Sequence, residues 1–140
     1  MKYWLFKSEP GAWSWDDQVK AGDRGDTWDG VRNYQAANNM KAMKTGDRGF
    51  FYHSVNEKRI VGIVEVVKEY YPDPTDPTGR FGMVDVKAVR PFETPVTLAA
   101  IKAEPDLEGI ALVRQSRLSV TPIEPAHWKL ICKMGGTDPS

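Results

Sequence analysis

Arg59-Ile60-Val61-Gly62-Ile63-Val64-Glu65-Val66-Val67 opens a stretch that runs to Tyr71, and its composition decides the fold. Val and Ile dominate it. Their branched Cβ restricts χ1 and packs well on a pleated surface, which favours a strand over a helix. Apolar residues occupy both faces, so the stretch is predicted to be a central strand, covered on both sides or curled into a barrel wall, with Gly62 as the place to bend. Upstream, Arg48 to Ser54 (Arg-Gly-Phe-Phe-Tyr-His-Ser) reads as a neighbouring strand after a break at Gly46-Asp47. Downstream, Pro72 to Arg80 holds three Pro and forms a rigid connection to a third strand, Phe81 to Phe92. There Val84, Val86 and Ala88 alternate with Asp85 and Lys87, giving that strand one wet face.

Outside this centre the signals are shorter. Lys2 to Lys7 is aromatic-rich and strand-like, ended by Ser8-Glu9-Pro10-Gly11. Ser14 with Asp17 makes a capping box for a helix that puts Trp15 and Val19 on one face and closes at Gly22. Residues 22 to 32 carry too many Gly and Asp for a regular element and read as a loop holding Trp28. Asn33 caps a second helix with Ala36, Met40 and Met43 on one face. Past Pro95, Thr97 caps a short helix through Ile101, Leu107 to Leu112 forms another turn, and Ser116 to Pro122 a short strand. Glu124-Pro125 starts a last helix with Trp128 and Ile131 inward, ended by Gly135-Gly136. The sum is α+β: five to six mostly antiparallel strands closing as a small curved sheet or barrel, with helices inserted early and late.

The 140 residues suit one domain, 1–140. Hydrophobic residues make up 41%, enough for a core and too many for a disordered chain. Nineteen Lys plus Arg balance nineteen Asp plus Glu. No third of the chain departs from that balance, so a basic arm that grips phosphate backbones is excluded and any nucleic-acid site has to be assembled by folding. Cys132 stands alone, which rules out an internal disulfide and a multi-cysteine zinc site. Only Tyr3 to Phe6 are apolar between Lys2 and Lys7, too short a run for a signal peptide or a span. A cytoplasmic protein without membrane association is expected. Ten of the fifteen aromatics, including four of the five Trp, fall within residues 1 to 53, which suits both a core and a ligand-stacking pocket.

Catalytic patterns are weak. Cys132 is expected to be packing, and His53 and Ser54, adjacent on a strand, point to opposite faces and make no dyad. The two His and one Cys have no metal-ligand spacing, and no phosphate-cradling glycine motif occurs, so no metal and no cofactor is expected.

Lys7-Ser8-Glu9-Pro10, Trp13-Ser14-Trp15, Trp28-Asp-Gly-Val-Arg-Asn-Tyr-Gln-Ala36, Gly46-Asp47 with Phe50-Phe-Tyr-His-Ser54, and Val113-Arg-Gln-Ser-Arg-Leu-Ser119 together resemble the EVE domain family across essentially the whole chain. The resemblance implies a PUA-like fold, a small mixed β-barrel shared with RNA-binding PUA domains and with the YTH domains that read N6-methyladenine. It implies recognition of a modified base of DNA or RNA. Many members carry Arg after Tyr-Gln-Ala, where this chain has Ala37.

A flipped base is read by stacking on aromatic faces and by hydrogen bonds to its edge. On that expectation Trp28 is the main wall, with Tyr52 or Trp13 and Leu118 opposite; His53 also belongs to the pocket, Ser8, Asn33 and Ser119 meet the base edge, and Lys7, Arg32, Arg114 and Arg117 meet phosphates. Each has a plainer alternative: Trp28 as a barrel lid, Asn33 as a helix cap, Arg114 or Arg117 paired with Asp26 or Asp29. Tyr34 and Trp15 are assigned to packing. Two other functions stay open: a nucleotide-processing enzyme acting through His53, and a protein-interaction module.

Overall fold

Six strands form one mixed sheet in the computed structural model, which describes residues 1–140. They are β1 (Tyr3–Ser8), β2 (Asp26–Trp28), β3 (Arg48–His53), β4 (Arg59–Pro72), β5 (Gly82–Thr97) and β6 (Val120–Ile123), in the spatial order β2-β5-β4-β3-β1-β6. β1 and β3 run parallel, from Tyr3 opposite Arg48 to Ser8 opposite His53; every other pairing is antiparallel. The sheet curls into a half-barrel with β2 and β6 at its edges, the PUA-like α+β architecture. Helices α1 (Trp15–Lys20), α2 (Tyr34–Lys41), α3 (Leu98–Ala103), α4 (Ala111–Arg114) and α5 (Pro125–Met134) fill the connections and the C-terminus.

Alternation along the strands sorts the core into two layers. Phe50 and Tyr52 join Leu5, Ile60, Ile63 and Trp128 on one face, while Phe51 joins Phe6, Trp28, Val64 and Val84 on the other. A bulge in β4 keeps both layers filled: Phe51 pairs with Gly62 and Tyr52 with Ile60, so Val61 has no partner in the register. The extra residue resets the alternation, which places Ile60 and Ile63 in one layer and Val61 and Val64 in the other. Gly62 is also where Trp15 comes closest, since a Cβ there would lie 2.4 Å from the Trp15 ring. Beneath the first layer, Trp128 stacks on Phe50 at 4.0 Å and on Tyr3 at 4.4 Å, burying α5 against the sheet. Cys132 is fully buried there, and burial pushes its thiol up to about 12, so it packs and does not react.

Local signals set most helix starts. Ser14 and Asp17 form the reciprocal capping box, Asn33 accepts from the Ala36 N–H at 3.0 Å, Thr97 accepts from Ala100 at 3.1 Å, and Pro125 opens α5. Three expectations are corrected. Residues 22 to 32 are not all loop: a 3-10 turn at Gly22–Arg24 leads into β2, which pairs with β5 from Asp26 opposite Val86 to Trp28 opposite Val84. Gly25 permits this, at φ +74° and with its Cα so close to Val86 that a Cβ would lie 2.5 Å from the carbonyl oxygen. In α1 the inward residue beside Trp15 is Gln18, fully buried, while Val19 is half exposed. The third long strand continues past Phe92 to Thr97.

Candidate functional site

A cleft of about 420 Å³ is lined by the end of β1, the turn after it and β2. β1 contributes Lys7 and Ser8, the turn after it Glu9, Ala12 and Trp13, and β2 with its exit Asp26, Thr27, Trp28 and Asp29. Its volume falls within the range of about 300–1,000 Å³ usual for small-ligand sites.

The two indoles reach the cleft by different routes. Trp28 ends β2 and is 6% exposed, wedged edge-on against Phe6 at 5.1 Å and Phe51 at 5.6 Å, so it is a rigid inner wall and part of the core at once. Trp13 rides on the turn closed by Ala12 and Trp13 N–H bonds to the Glu9 carbonyl, both 2.9 Å. Its own carbonyl accepts from the Ser8 hydroxyl, and its Nε1 donates to Gln18 Oε1 at 2.9 Å. Gln18 in turn donates through Nε2 to the Val86 carbonyl at 2.9 Å, tying the Trp13 turn to β5. The buried amide is satisfied at both ends, which fixes the outer indole nearly as firmly as the inner one.

The charge of the cleft is the reverse of a phosphate site. Glu9, Asp26 and Asp29 border it against Lys7 alone. The neighbouring Tyr71 hydroxyl feels that field: burial first, then its bond to Asp85 and the charges of Asp85, Asp26 and Asp29, push it up to about 12. Lys7 is half-buried, which lowers its ammonium below the usual lysine range, and its Nζ donates to the Ser116 carbonyl at 2.8 Å. Carboxylates accept from amino groups on a base edge and repel phosphate, so this lining suits a base edge and offers only Lys7 to a phosphate.

The remaining residues singled out from the sequence take other places. Tyr52 lies in the opposite core layer, because strand alternation turns it away from Phe51 and His53; it does not border the cleft. Burial raises its hydroxyl pKa. Asn33 caps α2. Leu118 is core, and Ser119 meets β1 through its carbonyl, which accepts from the Lys7 N–H at 2.8 Å. Arg32 is paired with Asp73 at 3.1 Å and donates to Thr75 Oγ1 at 2.9 Å. Arg114 borders a different depression, between Ile101 and Val113, and Arg117 is exposed with no ion pair; neither meets Asp26 or Asp29. Asp73, which also accepts from the Gly30 N–H at 2.9 Å, holds the exit of β2 in place, a role that the reading of Pro72 to Arg80 as a rigid connection does not give it.

His53 is committed to structure. Its Nε2 accepts from the Trp15 N–H at 3.0 Å, which leaves Nδ1 to carry the proton toward Glu57 Oε1 at 2.9 Å. That bond first, and then the Arg59 side chain, lowers the Glu57 carboxyl despite some desolvation. With both ring nitrogens engaged, neither is free to abstract a substrate proton.

The EVE domain family model matches residues 2–134. Mouse thymocyte nuclear protein 1 is 35% identical over 170 aligned residues, covering 99% of this chain and 75% of the mouse protein. A solution structure of a Rhodopseudomonas palustris protein is 58% identical with a TM-score of 0.92, covering 97% of this chain and 94% of that one. A crystal structure of human THYN1 in complex with 5-methylcytosine-containing DNA is 33% identical with a TM-score of 0.91, covering 99% and 100%. The expectation of a cytoplasmic protein is corrected by these relatives, whose vertebrate members are nuclear proteins by name. A lone cysteine bears at most on the redox state of a compartment, and cytoplasm and nucleus are alike in that, so the residues never distinguished the two. Matched along almost its whole length by the family model, and sharing its fold with relatives from bacteria to human, the chain belongs to the EVE domain family.

Proposed function

We propose that this chain is a non-catalytic reader that captures one modified base of a nucleic acid against Trp13 and Trp28. The observation that carries it is the joint placement of these two indoles in one cleft bordered by three carboxylates. Human THYN1 in complex with 5-methylcytosine-containing DNA gives the chemistry a precedent in the family. Stacking holds any base, at roughly 1–3 kcal/mol per ring. The carboxylates of Asp26, Asp29 and Glu9 accept from an exocyclic amine, which favours cytosine or adenine over thymine or uracil. A methyl on such a base gains about 0.8 kcal/mol when buried on apolar surface. Lys7 is the one cation at the mouth, and it meets the phosphate of the captured nucleotide.

The test compares oligonucleotides with and without 5-methylcytosine, at two salt concentrations. Trp28→Ala is a poor variant for it, because removing a core indole costs about 3–5 kcal/mol of stability. Trp13 is only partly buried against the core, so Trp13→Ala costs less than Trp28→Ala although it strands Gln18 Oε1; with melting temperature confirming the fold, it is expected to abolish the preference for the methylated strand. With few phosphates neutralised, the salt slope is expected to be shallow. Equal affinity of the parent for both oligonucleotides, or turnover of either, would overturn the proposal.

A further inference from the structure

Tyr34 is the one aromatic among the large hydrophobic side chains left exposed, at 61%. It is the first residue of α2 and belongs to neither core layer. A side chain assigned to packing by sequence is therefore largely exposed to water.

Its position is held all the same. The ring leans on Phe81 with centroids 4.9 Å apart and a tilt of 38°. The Arg32 guanidinium lies over the same Phe81 ring at 5.8 Å, fixed there by Asp73 and Thr75. Tyr34, Phe81 and Arg32 thus make one small surface of aromatic and cation, the pairing on which single-stranded bases stack.

This surface is joined to the cleft. Gln35, next to Tyr34, donates to Gln115 Oε1 at 3.0 Å, and the carbonyl of the following Ser116 accepts from Lys7 Nζ at 2.8 Å. Lys7 borders the cleft. On the other side the chain runs without interruption from Trp28 to Tyr34, six residues that span at most about 20 Å. Lys7 at the cleft and the partly exposed Arg32, whose charge is shared with Asp73, lie at the two ends of this route, in contrast with the acids that border the cleft itself. A strand leaving the cleft would therefore pass from carboxylates that repel its phosphates to side chains that attract them.

We propose that Tyr34 is a stacking platform for a nucleotide flanking the captured base, so that the chain binds a short strand and not a lone nucleoside. This rests on the base-capture reading above. Arg32 keeps the phosphate between the two bases close to the platform, and Phe81 backs the ring so that stacking costs it little freedom.

The experiment measures two ligands, 5-methylcytidine and a five-nucleotide strand with 5-methylcytosine at its centre, against the parent, Tyr34→Ala and Tyr34→Phe, with melting temperature confirming that all three fold. Tyr34→Ala is expected to weaken the strand about 5- to 150-fold and to leave the nucleoside unchanged, while Tyr34→Phe binds both like the parent. Unchanged strand affinity in Tyr34→Ala, or an equal loss for the nucleoside, overturns the platform and spares the cleft. A parent that binds neither ligand overturns the base-capture reading, and the platform falls with it.

Discussion

The backbone N–H of Trp15 donates to His53 Nε2 at 3.0 Å, linking the start of α1 to the end of β3. Glu57 completes the arrangement from the opposite ring nitrogen. His53→Ala strands the Trp15 donor and frees the turn that carries Trp13. Chemical denaturation is expected to show a loss of about 1–3 kcal/mol. Any nucleoside or nucleotide turnover by the parent that disappeared in this variant would contradict the structural role.

Gly62→Ala tests the approach of Trp15 to the bulged strand. A Cβ at 2.4 Å from the indole forces the ring outward, and overpacking of this kind costs about 1–3 kcal/mol. Melting temperature is expected to drop, and the Trp fluorescence maximum to shift to the red as the ring gains water. An unchanged spectrum would show that the ring yields without leaving.

Acid should loosen the exit of β2. Burial alone would raise the Asp73 carboxyl, but bonds from the Thr75 hydroxyl, the Gly30 and Thr75 N–H groups and Arg32 outweigh it and hold it at about 2, below the ordinary 3.8. A carboxyl depressed on folding stabilises the protein above its ordinary value, and that contribution is lost as pH falls through the folded one. Asp73→Asn is therefore expected to melt below the parent at neutral pH, with the gap closing between pH about 4 and 2. A gap that stays constant across that range would refute it.

Lys7 gives binding its own pH dependence. Because burial lowers its ammonium below the ordinary 10.5, the charge that meets phosphate disappears at lower pH than for a surface lysine. Affinity of the parent for a methylated oligonucleotide is expected to fall on the alkaline side before that ordinary value is reached. Lys7→Arg, always charged, removes the fall. If both proteins declined together, the charge of Lys7 would not be what the strand meets.

Helix starts and the long strands were legible because their signals are local. Ser14 with Asp17, Asn33 with Ala36 and the Val and Ile of β4 act within a few residues of themselves. β2 was hidden for the opposite reason. Its three residues sit among glycines and aspartates, and the pairing that makes them a strand comes from β5, some sixty positions away. Gln18 looks like any surface amide until Trp13 and the Val86 carbonyl are placed around it. For Tyr52 the signal is local, since the alternation that separates His53 from Ser54 also puts Tyr52 and Phe51 in different layers. For Arg114 and Arg117 no such rule applies, because their distance from the cleft is decided by how the segment before β6 folds back.

Every side chain that borders the cleft falls between residues 7 and 29, yet the strands that hold them pair with β3, β5 and β6, drawn from the rest of the chain. The lining of the cleft is thus written in one short cassette on a frame encoded elsewhere. New ligand preferences can arise by exchange of that cassette without redesign of the barrel, whereas the cassette excised as a peptide would keep the letters and lose the reading.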